Sequence, residues 1–191
     1  MDSNIKLNIN NINKQNKKHI TLYKAPRVAG QKLRLRNRDI LVYDDKNDGN
    51  ILKIFSSLEL NWLVNNKKIL LYSLSLSKTN IENHLYASIM NTKIPKDLFE
   101  EVIMSQPNQW LKYQKIVENK EIYVKNTRYF FELSKIIKEI NDIDLVVVIA
   151  DEIIDSFFKE LKKASVDFPV IIVTNSFPEK CKKDKYVIYG G

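Results

Sequence analysis

The sequence predicts an α/β fold in three layers, with a mostly parallel central sheet held between helices. Residues 145–150 (LVVVIA) form a short, β-branched run with no charge in it, which suits a strand covered on both faces rather than an alternating surface strand. Residues 168–174 (FPVIIVT) form a second such run. Between these and the other apolar runs lie segments with apolar residues at helical spacing, and strands alternating with helices imply a parallel sheet with right-handed crossovers.

At 191 residues the chain is long enough for one domain with a sizeable core and too short for two of ordinary size. Residues 1–20 are rich in Asn and Lys without a sustained period, and are expected to be a flexible basic tail; residues 21–191 are expected to form a single domain. Alternation in 32–38 (KLRLRNR) puts Leu33 and Leu35 on one face and the cations on the other, as in a half-exposed edge strand. Residues 39–43 (DILVY) are the first core strand. Residues 50–64 read as the first helix, with Ile51, Ile54, Phe55, Leu58 and Trp62 at helical spacing. A second strand is expected at 68–74, then helices at 78–90, 95–104 and 108–117, with Pro95 and Pro107 as start signals. A short strand at 121–124, a helix at 128–140, the strand at 144–150, a helix at 151–165, the strand at 168–174 and a last strand at 186–189 complete the reading.

The balance of 31 Lys and Arg against 23 Asp and Glu gives a net charge of +8. That charge allows contact with nucleic acid or another acidic surface, and it also follows from Lys- and Asn-rich usage in an AT-biased genome. The densest basic stretch holds Lys14, Lys17, Lys18, Lys32, Arg34, Arg36 and Arg38, the candidates for non-specific DNA binding. One cysteine, Cys181, excludes an internal disulfide, and two histidines, His19 and His84, offer no zinc-ligand spacing, so no metal or cofactor is expected. Cys181 lies in a Lys-rich segment that is expected to lower its thiol pKa without making it catalytic. No apolar run approaches the ~20 residues that span a bilayer, and the expected location is the cytoplasm.

From residue 39 to 177 the order of features resembles the C-terminal, RecA-like motor domain of replicative DNA helicases of the DnaB type. YSLSLS (72–77) resembles that family's F-S-L-E-M-S stretch, and EIYVKNT (121–127) its I-Y-I-D-D-T strand and turn. Trp110 precedes that strand as the family's tryptophan does. Val146 to Asp151 falls at the Walker B strand, and PVIIVTN (169–175) resembles the V-P-V-I-A-L-S-Q strand, whose polar end would correspond to Asn175. The resemblance implies a RecA-like fold of the P-loop type and a role in DNA replication.

The positions that carry the family's chemistry differ. A phosphate loop, G-x-x-x-x-G-K-[ST], needs glycines for consecutive backbone N–H groups, a lysine for the phosphate oxygens and a hydroxyl for magnesium. In that register stands DDKNDGNI (44–51): only Gly49 matches, Asp44 replaces the first glycine, Asn50 the lysine and Ile51 the hydroxyl residue. Two like charges ~4 Å apart repel by about 4 kcal/mol at an effective dielectric of 20, so the acids of this loop disfavour a polyphosphate. The glutamate that polarises the attacking water corresponds to Ser75, whose hydroxyl accepts no proton at neutral pH. Asp151 and Glu152 fall near the Walker B position, with one inserted residue; without the loop they also read as the acidic start of the following helix. The short segment 176–185 is too small for the family's channel loop, and Lys180, Lys182 and Lys183 keep it basic.

Three functions follow as expectations: a non-catalytic replication factor that binds a helicase or another replication protein, a small DNA-binding accessory protein, or a residual ATP-dependent helicase domain. Phe131, set among Arg128, Lys135 and Lys138 on the outer face of the helix expected at 128–140, is the candidate partner contact. Tyr129, Leu133, Ile136, Ile137 and Ile140 are expected on the face of that helix that packs on the sheet.

Overall fold

The computed structural model describes residues 19–23, 32–44, 50–63, 66–92, 98–119 and 121–189. Its centre is a six-stranded sheet in the order β5-β4-β6-β7-β3-β8, formed by β3 (Ile40–Asp44), β4 (Ile69–Ser73), β5 (Ile122–Asn126), β6 (Leu145–Glu152), β7 (Val170–Ser176) and β8 (Val187–Tyr189). Every pairing in it is parallel; in the middle, Leu71 lies opposite Val147 and Val147 opposite Ile171.

Side chains alternate across each strand and so build two apolar layers. Leu41, Tyr43, Leu71, Val147 and Val173 face α1 (Asn50–Leu63), α2 (Lys78–Ile89), α3 (Phe99–Ser105) and α4 (Pro107–Asn119), packing with Ile54, Phe55, Leu85, Phe99 and Tyr113. Val42, Tyr72, Val146, Val148 and Ile172 face the other way, against α5 (Leu133–Ile140), α6 (Asp155–Ala164) and the single-turn α7 (Glu179–Lys182), through Leu133, Phe157, Phe158, Leu161 and Cys181. This is the three-layer arrangement expected from the alternating apolar runs.

Four details differ from the sequence reading. A strand, β1 (His19–Tyr23), begins inside the expected tail and pairs antiparallel with β2 (Lys32–Arg36), Leu22 opposite Leu33 and Ile20 opposite Leu35. Ile20, Leu22 and Leu35 are buried in the first apolar layer, whereas Arg34 and Arg36 are exposed. The hairpin is therefore a separate two-stranded unit on that layer, not an edge of the main sheet.

The helix expected from residue 128 begins later. The Thr127 hydroxyl accepts from the Tyr129 N–H at 3.1 Å and donates to the Glu132 carboxylate at 2.7 Å, which holds Tyr129 extended (φ −120°, ψ 111°) before a 3-10 turn, Phe130–Glu132. Tyr129 consequently leaves the sheet-facing side and is 55% exposed, while Leu133 and Ile136 are buried as expected. Next, β6 runs on through Asp151 and Glu152, and α6 starts only at Asp155, so these acids are not a helix start. Finally, the segment after β7 contains α7, which turns Cys181 inward.

Candidate functional site

The sheet's connections place a crevice at the carboxyl ends of its strands. β3 and β4 lead into helices on one face, whereas β6 and β7 lead into helices on the other. Adjacent strands whose crossovers diverge in this way, β4 with β6 and β7 with β3, leave an opening between them where open α/β sheets bind ligands. The opening holds about 30 Å³ and is lined by Ile51 from α1, Ser75 and Leu76 after β4, Asp151 at the end of β6, and Thr174 and Asn175 at the end of β7. Four positions singled out from the sequence, Ile51, Ser75, Asp151 and Asn175, are thus gathered in one cleft. The side chains of Lys32, Asp44 and Asn50 and the whole of Gly49 lie outside the described residues, as do Lys14, Lys17 and Lys18.

Local hydrogen bonds fix the rim. The buried Ser73 hydroxyl donates to the Leu76 carbonyl and accepts from the Leu76 N–H, both at 2.9 Å, closing the turn that exposes Ser75. Asn126, at the end of β5, donates to the same carbonyl at 2.5 Å. Across the cleft, the Thr174 hydroxyl donates to the Asp151 carbonyl (3.2 Å) and the Ser176 carbonyl (3.0 Å), and Ile153 N–H donates to Ser176 O at 2.9 Å. The strand tips are therefore locked by their own side chains. Thr174 and Asn126 were not singled out from sequence, because a polar residue ending an apolar run carries no signal of which neighbour it meets.

Chemically the cleft is poor. A cavity of this size holds a water, which needs at least ~10–15 Å³, whereas small-molecule pockets run from ~300 Å³ upward. Ile51 is 4% exposed and part of the first apolar layer, so the wall that a phosphate loop would make polar is hydrocarbon. Asp151, Glu152, Ser75 and Asn175 are exposed. Beside it, the Tyr43 hydroxyl in β3 is fully buried with no hydrogen-bond partner among the described residues, and burial pushes its pKa well above the usual phenol range. Among the described residues no three His, Cys, Asp or Glu side chains gather where they could hold a metal ion, and no helix is long and apolar enough to cross a membrane.

The remaining candidates lie elsewhere. Phe131 is 65% exposed and tilted against Tyr129 at 5.3 Å between ring centroids, with Phe130 beneath them anchored on Phe157 at 5.4 Å. Arg34, Arg36 and Arg38 are exposed on and after β2. Cys181 reverses the expectation from its lysines: burial, and then the Asp155 carboxylate beside it, push its thiol up. Lys180 is drawn instead to Asp155, whose carboxyl that contact holds below its usual range.

No protein-family model matches the sequence, and no curated protein matches it in sequence. Among solved structures, the chain is similar to the ATPase domain of a DnaB-like replicative helicase, with a TM-score of 0.52 and 13% identity over 97% of this chain and 75% of that one. It is also similar to a second DnaB-like replicative helicase, solved in a study of its interactions with primase, with a TM-score of 0.52 and 12% identity over 78% of this chain and 41% of that one. The match thus takes in less than half of that second helicase's length. At these identities the likeness establishes the fold, that of DnaB-like helicase ATPase domains.

Proposed function

We propose that the chain is a non-catalytic relative of the replicative helicase motor domain that acts in DNA replication by binding a helicase or another replication protein. The observation that supports this reading is the cleft: Ile51, Ser75, Asp151 and Asn175, four of the positions that the resemblance matches to the family's nucleotide site, line about 30 Å³, with Ile51 buried. The loop sequence at 44–51, with Asn50 in place of the lysine, supports the same reading. The fold supplies a protein-binding surface without the cycle, and the exposed pair Tyr129 and Phe131 is the surface feature that suits a protein partner. A cytoplasmic setting and a single domain from residue 21 onward go with this reading.

The test is a nucleotide titration combined with a binding assay. With magnesium-ATP at about 1 mM, generous on the scale of weak affinities, the melting temperature stays unchanged. A ligand at 100 times its dissociation constant stabilises by ~2.7 kcal/mol, which a thermal shift resolves. The chain then co-purifies with a replicative helicase, with an affinity that changes little with ionic strength. A saturable shift with ATP overturns the non-catalytic reading and leaves a residual ATPase.

A further inference from the structure

At the opposite edge of the sheet, where the strands begin, cations from three distant parts of the sequence meet on one tyrosine. Arg38 Nη1 donates to the Tyr186 hydroxyl at 3.2 Å, with the guanidinium 5.9 Å from the ring centroid. Lys185 Nζ lies 4.8 Å and Lys162 Nζ 6.0 Å from the same centroid. The backbone fixes this meeting: Arg38 N–H donates to Ser165 O, at the end of α6, and Ile40 N–H to Tyr186 O. Arg38 also takes a left-handed conformation, φ 78°, which turns the chain from β2 into β3.

Part of this charge has a structural explanation. Lys162 sits in the last turn of α6, where the helix dipole favours a cation, and pairs with Asp184 at 2.5 Å. Arg38 and Lys185 form no close ion pair among the described residues, and the Asp184 carboxylate feels the charge of Lys185 as well as that of Lys162. The guanidinium groups of Arg34 and Arg36, exposed on β2 four and two residues before Arg38, form none either, whereas the Arg36 backbone N–H donates to the Asp39 carboxylate at 2.7 Å.

We propose that Arg38, Lys162 and Lys185 around Tyr186, continued by Arg34 and Arg36, form a sequence-independent contact for the phosphate backbone of a nucleic-acid strand. The site is the cluster at the start of β3 and β8, ~17 Å of strand away from the cleft. It does not depend on the reading of that cleft. Tyr186 gathers three of the cations, and the five cations outnumber the two nearby carboxylates, Asp39 and Asp184, so the cluster presents a net positive charge to an anion.

The test is fluorescence anisotropy of a labelled, mixed-sequence single-stranded oligonucleotide with the full chain, between about 50 and about 200 mM salt. Each phosphate contact contributes ~0.7 to the slope of log affinity against log salt on single strands. Arg38→Gln with Lys162→Gln and Lys185→Gln is expected to flatten the slope by about 2, so that the unaltered chain loses roughly 20-fold more affinity across that range than the triple variant does. Because Lys162 also pairs with Asp184, the double variant Arg38→Gln with Lys185→Gln serves as a second measure, with a slope flatter by about 1.4 and an unchanged melting temperature. Lys112→Gln with Lys115→Gln, exposed on α4, should leave the slope as it was. An unchanged slope in the double variant, an equal loss in the α4 variant, or displacement of the oligonucleotide by low-millimolar inorganic phosphate overturns the proposal.

Discussion

Introducing the lysine and threonine of a phosphate loop at positions 50 and 51 is expected to harm the protein without making it bind nucleotide, and the cost can be worked from Ile51. Ile51 is 4% exposed and belongs to the apolar layer that holds α1 on the sheet. Ile51→Val removes one methylene at about 0.5–1.5 kcal/mol. Ile51→Thr has the shape of valine but buries a hydroxyl, which without a partner costs about 1–3 kcal/mol more. In a chain of this length 1 kcal/mol corresponds to roughly 2–4 °C in melting temperature, so the threonine variant should melt roughly 2–12 °C below the valine variant. Urea denaturation of the two variants, with and without magnesium-ATP, separates the terms. Adding Asn50→Lys to Ile51→Thr should produce no saturable nucleotide shift, because Asp44 still occupies the first glycine position. Equal stability of the threonine and valine variants would show that the residue 51 side chain is solvated, as in a working phosphate loop, and would refute the argument from the cleft wall.

Three further outcomes follow from single side chains. Phe131→Ser, at a 65% exposed position, should leave thermal stability within about 0.5 kcal/mol while weakening association with a helicase partner; Leu133→Ser, at a 1% exposed one, should abolish cooperative unfolding or lower its midpoint severely. Tyr43→Phe removes a buried hydroxyl that has no partner among the described residues and should raise stability by about 1–3 kcal/mol in urea denaturation; a loss would mean that the hydroxyl is bonded. Cys181 should react more slowly with an aromatic disulfide near neutral pH than a free model thiol does. Its pKa is raised by burial, which lowers the thiolate fraction, and the difference should vanish in denaturant. Fast reaction of the folded protein would contradict its burial against α6.

The fold was legible because the chain advertises it in short-range order. The runs at 145–150 and 170–174 are buried along their whole length, and periodicity placed α1, α2 and α4 within two residues of where they lie. What the sequence could not show are features set by a single side chain or by distant contacts. The Thr127 hydroxyl delays α5 and thereby moves Tyr129 to the surface, although helical spacing alone would place it with Leu133. β1 is only five residues long beside a polar segment, so its alternation of Ile20 and Leu22 carried too few periods to register. Cys181 was read from its neighbouring lysines, but α7 turns the thiol into the core beside α6, and Lys180 pairs there with Asp155. Arg38 and Tyr186 are 148 residues apart, and nothing local to either points to the other.

The persistence of this sheet is not an argument for the persistence of its chemistry. In β6 the residues Leu145–Ala150 are buried and the next two, Asp151 and Glu152, are exposed; in β7 the change comes between Thr174 and Asn175. Core and rim are thus consecutive segments of the same strands, and they answer to different constraints. Substitutions in the first six residues of β6 open cavities that cost about 2–5 kcal/mol for a large-to-alanine change, whereas a change at an exposed tip costs typically under 0.5 kcal/mol. Ser75 lies in that tolerant zone, since the turn that carries it is closed by Ser73 and Asn126 and not by Ser75 itself. Ile51 differs from these tips, because an apolar residue buried there adds to the packing of α1 on the sheet. A chain can therefore keep such a fold at full stability whatever its rim carries, and the two readings of the cleft must be separated by ligand measurements, never by the fold match.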